Sequence, residues 1–324
     1  MMPRSPESPY CEDPALSAPK VAIIPATTDE LAQAVRAGGG EPTEDASSAD
    51  ALVWINPRDP EGLRSALEGS PARWIQLPFA GIESFFAAGV IDPERTWTCT
   101  KGVYGPACAE HALALMLAAA RRLHVHIRNK KWREGGFGSP ERMLAGTTAV
   151  VIGTGGIGRA LVPLLRPLGV RIIGVNRSGD PLAGADRTVT ADHLPEVVGE
   201  AEWVVIAAAS TRETRHMIDG EIMAAMRPSA WLVNVARGEL IDTDALVAAL
   251  EAKTIGGAAL DVTDPEPLPE GHRLWELDEA IITPHVANTW DMAVPELIAM
   301  VERNVARFAA GEPLEGLVDP SVGY

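Results

Sequence analysis

The chain has 324 residues, 46% of them hydrophobic and 22% charged, with a formal net charge of −16. That length suits two domains with cores of ordinary size, and the acid excess argues against a nucleic-acid or anionic-membrane surface, which would need a basic patch. No apolar run reaches the ~18 residues of a membrane span, and Cys11, Cys99 and Cys108 lack metal or redox spacing, so a reduced, cytoplasmic protein without a metal site is expected.

The first twenty residues carry Pro3, Pro6, Pro9, Pro14 and Pro19 but no apolar core, which reads as a disordered lead-in rather than a signal peptide. A short apolar strand follows over 20–25. A helix over 29–37 begins at a Thr28 or Asp29 cap and ends at Gly38-Gly39-Gly40. A strand over 51–55, a helix over 61–67 and a strand over 74–77 continue the alternation. Such alternation predicts a parallel sheet with helices on its faces. The turn over 78–82 leaves the last of these strands at its carboxyl edge, where open α/β sheets bind ligands. The stretch 107–123 is apolar on most sides and predicts a buried helix between two domains, and 130–140 reads as a polar, glycine-rich loop.

The next segment organises everything after it. An apolar, β-branched run over 149–152 predicts a strand buried on both faces. Gly153-Thr154-Gly155-Gly156-Ile157-Gly158 follows at once, then a helix over 159–168 and a second buried strand over 170–175. Strand, glycine turn, helix, strand is the setting that makes GxGxxG a dinucleotide site. Gly153 permits the tight turn, Gly155 lets backbone approach a pyrophosphate, and Gly158 lets helix and strand pack closely. The pyrophosphate then meets backbone N–H groups at the positive end of the helix. Further strands are expected over 203–207, 230–235, 257–262 and 280–282, with helices over 219–226 and 243–252, giving a six-stranded doubly wound sheet. A last helix over 292–310 is expected to cross back onto the first domain.

Three polar residues stand just beyond apolar strands in that sheet: Arg237, Glu266 and His285. An arginine there can hold a carboxylate bidentately and polarise a neighbouring carbonyl. A histidine can pass a proton to or from an oxygen near pH 7. A carboxylate beside it favours the imidazolium and fixes the ring. These are the parts for moving a hydride and a proton across a 2-keto/2-hydroxy acid, with a nicotinamide supplying the hydride. The remaining histidines, His111 among them, lack such placement and read as structural.

The sequence resembles the D-isomer-specific 2-hydroxyacid dehydrogenase family. The matching segments are Ala109-Glu110-His111-Ala112-Leu113-Ala114-Leu115, the glycine fingerprint, and Asn234-Val235-Ala236-Arg237-Gly238-Glu239-Leu240-Ile241-Asp242. Gly257-Ala258-Ala259-Leu260-Asp261-Val262 with Glu266-Pro267-Leu268-Pro269, and Thr283-Pro284-His285, follow in the family's order. The resemblance implies two doubly wound parallel α/β domains, a Rossmann cofactor domain (105–289) inserted in a flavodoxin-like substrate domain (1–104 and 290–324). It makes Arg237 the substrate anchor, His285 the acid/base and Glu266 its partner, with substrate carboxylate held by backbone at Ala80 and Gly81. It puts the cofactor against Gly153, Gly155, Gly156, Ile157, Gly158, Arg159, Asn176, Arg177, Ser178, Ala208, Ala209, Thr214, Val235, Ala236, Asp261, His285 and Ala287, with Asp261 at the nicotinamide carboxamide. A homodimer through the cofactor domain is also implied. Trp97, Tyr104 and Trp290 are candidates for the wall of the substrate pocket.

Position 176, where an aspartate would bind a ribose 2′-hydroxyl, holds asparagine. Asn176-Arg177-Ser178 offers an amide, a cation and a hydroxyl, which suits a 2′-phosphate, so NADP(H) is favoured over NAD(H). Glu266 separates the chain from formate dehydrogenases, which pair the histidine with an amide. A small-molecule 2-keto acid such as glyoxylate or hydroxypyruvate is the expected substrate. The alternative is a dinucleotide-sensing, corepressor-like binding protein on the same fold.

Overall fold

A computed structural model describes residues 18–132 and 141–320. The N-terminal lead-in up to residue 17, and most of the loop expected over 130–140, lie outside those residues. The chain divides into two compact units, one running to Lys101 and resuming at Val294, the other spanning Gly102–Ala293.

The first unit comprises β1 (Lys20–Ile24), α1 (Asp29–Ala37), β2 (Glu41–Thr43), β3 (Ala51–Trp54), α2 (Pro60–Leu67), β4 (Trp74–Gln76), α3 (Glu83–Ala87) and β5 (Thr96–Thr98). Its five strands are all parallel, in the order β2-β1-β3-β4-β5, the flavodoxin-like winding. The sequence pattern identifies three of them. β2 and β5 are three-residue edge strands, Glu-Pro-Thr and Thr-Trp-Thr, without an apolar run to mark them. Thr28 provides the α1 cap, accepting from the Leu31 N–H at 3.3 Å.

The second unit comprises α4 (Gly105–Ala120), α5 (Leu123–Asn129), β6 (Thr148–Ile152), α6 (Gly156–Leu165), β7 (Arg171–Asn176), β8 (Arg187–Thr190), α7 (Leu194–Val198), β9 (Trp203–Ile206), α8 (Gly220–Ala225), β10 (Trp231–Asn234), α9 (Thr243–Glu251), β11 (Gly257–Leu260) and β12 (Ala280–Ile282). Its strands are parallel in the order β12-β11-β10-β9-β6-β7-β8, so the sheet has seven strands, not six. The extra one, β8, is the partly exposed edge run Arg-Thr-Val-Thr. The winding reverses between β6 and β9, and the glycine turn leaves β6 at that switch point. β6, β9, β10 and β11 are buried along their whole length, as strands covered on both faces must be.

The helix expected over 107–123 is two helices. α4 ends where Arg122 takes a left-handed conformation, φ +50°, and α5 starts anew at Leu123. α4 lies against the second unit's own core, with Ala109, Ala112, Leu115, Met116, Ala119 and Ala120 buried beside Leu161, Leu165 and Val233. Helix α10 (Trp290–Ala310) starts two residues earlier than its periodicity indicates. Its Leu297, Val301 and Val305 bury in the first unit's core against Val21, Val35, Val53 and Trp74.

Candidate active site

The glycine turn is held by backbone contacts that no other residue tolerates. A Cβ on Gly153, whose φ is +96°, would stand 2.5 Å from the Ala207 carbonyl oxygen, and one on Gly158 would stand 2.3 Å from that of Gly153. A Cβ on Gly155 would meet nothing within 4 Å, so this is the open side of the turn. Gly155 caps α6 without a side-chain hydrogen bond, and Ile157 and Arg159 occupy its first turn. The arrangement fits a dinucleotide pyrophosphate, whose charge would meet the helix's backbone N–H groups on the open side.

At the end of β7, Asn176 is committed to the chain itself. Its Nδ2 donates to Thr154 Oγ1 at 2.9 Å and to the Asp180 carbonyl at 2.8 Å, and its Oδ1 accepts from the Gly179 N–H. It shapes the turn that presents Arg177 and Ser178, both exposed. The Ser178 hydroxyl donates to Asp180 Oδ2 at 2.6 Å. Ala208 and Ala209 follow β9 in partly buried positions, and the Thr214 hydroxyl donates to the Ala209 carbonyl at 2.8 Å, closing that loop.

Buried polar side chains at the ends of β10 and β11 aim the three reactive candidates. Asn234 is fully buried. Its Oδ1 accepts from the Ala236 N–H at 3.0 Å and its Nδ2 donates to the Arg237 carbonyl at 2.8 Å, so Val235, Ala236 and Arg237 leave the strand in one fixed turn. Gly238 is required there: a Cβ would lie 2.0 Å from the Thr263 carbonyl, where the loop leading to Glu266 passes. Asp261, 2% exposed, ties down the loop after β12. Its carboxylate accepts from the N–H groups of Val286 and Ala287 at 3.0 and 2.9 Å and from the Thr283 hydroxyl at 2.6 Å. Burial pushes the Asp261 carboxyl up, but donors at His111, Thr283, Val286 and Ala287 outweigh it and bring the pKa down to about 2.

Between those turns Glu266 and His285 meet. His285 Nδ1 lies 2.6 Å from Glu266 Oε1, and each side chain keeps over two fifths of its surface exposed. The hydrogen bond from His285 holds the Glu266 carboxyl below its ordinary value, and the charge of Arg237 acts in the same direction. His285 sits at φ +53°, a conformation rare outside glycine, and its N–H donates to the carbonyls of Asp261 and Thr283 at 2.8 and 3.0 Å. Cys108 is no nucleophile here, because burial and the nearby Asp261 charge push its thiol up to about 11.

The family model for "D-isomer specific 2-hydroxyacid dehydrogenase, NAD binding domain" matches residues 113–287. The chain belongs to the D-isomer-specific 2-hydroxyacid dehydrogenase family. A glyoxylate reductase of Pyrococcus furiosus is 34% identical over 235 residues, 69% of each chain. A protein of Corynebacterium melassecola named "Uncharacterized protein in proB 3'region" is 37% identical over 310 residues, 94% of this chain and all of that one. Among solved structures, a D-isomer-specific 2-hydroxyacid dehydrogenase of Xanthobacter autotrophicus Py2, in complex with NADPH and MES, superposes with a TM-score of 0.79 at 26% identity. It covers 95% of this chain and 100% of that one. These relatives give the corepressor alternative no support, and the chain is an NAD(P)-dependent oxidoreductase of the dehydrogenase family.

The structure brings Glu266 and His285 into contact, with the Arg237 charge nearby, and sets Gly153–Gly158, Ala208, Val235, Ala236 and Ala287 at the carboxyl ends of one sheet. Ala80 and Gly81 lie in the first unit, partly buried in the turn between β4 and α3, and Trp290 opens α10. Trp97 is a core residue, 1% exposed and packed with Trp54 and Phe85, which removes it from the pocket-wall candidates. Sequence reasoning missed Asn234 and His111. Asn234 had a signal, since an asparagine closing a fully apolar strand must have its amide satisfied inside.

Proposed function

We propose that this family member reduces small 2-keto acids, glyoxylate and hydroxypyruvate foremost, with NADPH in preference to NADH. The observation that carries the reading is the 2.6 Å contact between His285 Nδ1 and Glu266 Oε1 at the sheet's carboxyl edge. It leaves Nε2 as the ring atom available to a substrate.

When bound, the nicotinamide supplies the hydride that reaches the 2-keto carbon. Protonated His285 donates its Nε2 proton to the oxygen that becomes the alkoxide, and is left neutral. Glu266, held ionised, orients the ring and favours its cationic form before transfer. Arg237 binds the substrate carboxylate and stabilises charge on the carbonyl oxygen. Asp261 already accepts three hydrogen bonds from the protein, so its part at the nicotinamide is to hold the Val286–Ala287 backbone in place.

The exposed Arg177 and Ser178, with an amide in place of an acid at 176, support the NADPH preference. The bound NADPH of the Xanthobacter protein supports it too. Ser178 must exchange the Asp180 carboxylate for the 2′-phosphate when the cofactor enters. Leu123, Ile127, Trp132 and Met143, large apolar side chains exposed on the second unit, support a homodimer through that unit, to be tested by sedimentation. The free thiols Cys99 and Cys108 fit a cytoplasmic setting.

The test is loss of reduced-nicotinamide absorbance with NADPH or NADH and glyoxylate, hydroxypyruvate, pyruvate or phenylpyruvate. Fastest turnover is expected with NADPH and the two smallest hydroxy- or aldehyde-bearing acids. A His285→Gln variant that kept full turnover with cofactor binding intact would sink the mechanism. Faster turnover with NADH would remove the cofactor assignment alone.

A further inference from the structure

A chain of three side chains runs beneath His285, and none of them transfers a proton or hydride in the reaction as proposed. His111 Nε2, on α4, lies 3.0 Å from Thr283 Oγ1 and 3.3 Å from Asp261 Oδ1, and Thr283 Oγ1 lies 2.6 Å from the same Asp261 oxygen. Proton counting orders the contacts. The Thr283 hydroxyl has one hydrogen, and the short contact to a buried carboxylate claims it. Thr283 Oγ1 therefore accepts from His111, whose Nε2 must carry a hydrogen. The direction is His111 to Thr283 to Asp261.

The carboxylate at the end of this relay accepts from the backbone N–H groups of Val286 and Ala287, which immediately follow His285. His285 is held in the left-handed region, φ +53°. A non-glycine residue there is strained and persists only where its surroundings over-determine it. The relay is that over-determination. Among the described residues, His111 is the member that reaches it from a different element, 172 positions from Thr283 in sequence.

We propose that His111 is a positioning residue for the reaction: from α4 it fixes Thr283 and Asp261, and through them the strained backbone that aims His285, without touching the substrate. This rests on the proposed role of His285 only in its effect on turnover. The order of the loop is measured separately.

The experiment compares His111→Leu with His111→Gln, whose side-chain amide can donate from nearly the same place as Nε2. Amide hydrogen exchange at Val286 and Ala287 is read beside steady-state reduction of glyoxylate by NADPH. Losing one buried hydrogen bond to the relay is worth about 1–2 kcal/mol, or roughly five- to thirty-fold. His111→Leu is therefore expected to speed exchange at both amides by about tenfold and to lower kcat about as much. KM for glyoxylate and Kd for NADPH should stay within about threefold, because no binding group is altered. His111→Gln is expected to restore both readouts to within about threefold of the parent. Unchanged exchange in His111→Leu, or equal impairment in Leu and Gln variants, would overturn the proposal in favour of simple packing. If His111→Leu does not fold, Thr283→Val breaks the relay at nearly constant volume, and faster exchange at Val286 and Ala287 is again required. If the parent reduces no 2-keto acid, the exchange comparison still decides the relay, and the failure belongs to the function.

Discussion

Gly105 and Gly156 meet backbone to backbone: a Cβ on Gly105 would stand 2.4 Å from the Gly156 carbonyl oxygen. The first turn of α4 thus presses on the first turn of α6, behind the glycine turn proposed to receive the cofactor. Gly105→Ala must move one helix off the other. It is expected to cost about 1–3 kcal/mol and to weaken NADPH binding, because the turn shifts with it. Gly155→Ala meets open space and should leave Tm unchanged while weakening NADPH at least as much. Thermal denaturation beside fluorescence titration separates the two, and equal Tm losses would contradict the geometry.

Asp261 predicts an acid limb. Its folded pKa of about 2 lies below the ordinary 3.8, so its contribution is complete above about pH 4 and is lost as pH falls from there towards 2. The shift corresponds to about 2 kcal/mol at neutral pH. Asp261→Asn should lower Tm at pH 7 and flatten the fall of Tm between pH 4 and pH 2.5. Parallel curves for the two proteins would assign that limb to other carboxylates.

Glu266 makes a prediction about rate instead. Its carboxyl is held low chiefly by the His285 hydrogen bond, so the carboxylate is ionised throughout the neutral range. Glu266→Gln keeps an acceptor for the ring but removes the charge that favours its cationic form. Reduction consumes that form. The alkaline fall of kcat should therefore move to lower pH, and kcat at pH 7.5 should drop by about tenfold or more. An unmoved profile would mean that Glu266 acts only as a steric support.

Cofactor choice can be tested on the turn after β7. Arg177→Ala is expected to raise KM for NADPH by about tenfold, the worth of one charge-assisted phosphate contact, and to leave NADH within about twofold. Asp180→Asn should act oppositely on NADPH, since it weakens the acceptor that holds the Ser178 hydroxyl and removes a negative charge beside it. Equal effects on both cofactors in both variants would place the 2′-phosphate elsewhere.

Much of this was legible in the sequence, for physical reasons that also mark the limits. Central strands such as β6, β9 and β10 are buried on both faces and announce themselves as unbroken apolar runs. Edge strands β2, β5 and β8 have polar neighbours on at least one side, so no composition separates them from loop. The break at Arg122 carries neither glycine nor proline. Arg237, Glu266 and His285 stood out because a charged group just past an apolar strand needs a reason. His111 did not, since its reason is Thr283, which only folding brings within reach. Asn176 was visible as a departure from aspartate, but its occupation by Thr154, Asp180 and Gly179 was not.

The left-handed backbone at His285 gives that position an unusual tolerance. Replacing a histidine by glycine ordinarily destabilises through the extra freedom of the unfolded chain, by about 1 kcal/mol. Here glycine would also release strain of about that size in the folded state. The two changes oppose each other, so His285→Gly should remove the imidazole at nearly constant stability. It would leave a vacancy the shape of the missing ring beside the Glu266 carboxylate. Imidazole added to the buffer is small enough to enter such a vacancy, so this one residue is open to chemical complementation, where a lost side chain is returned from solution and titrated like any other reagent.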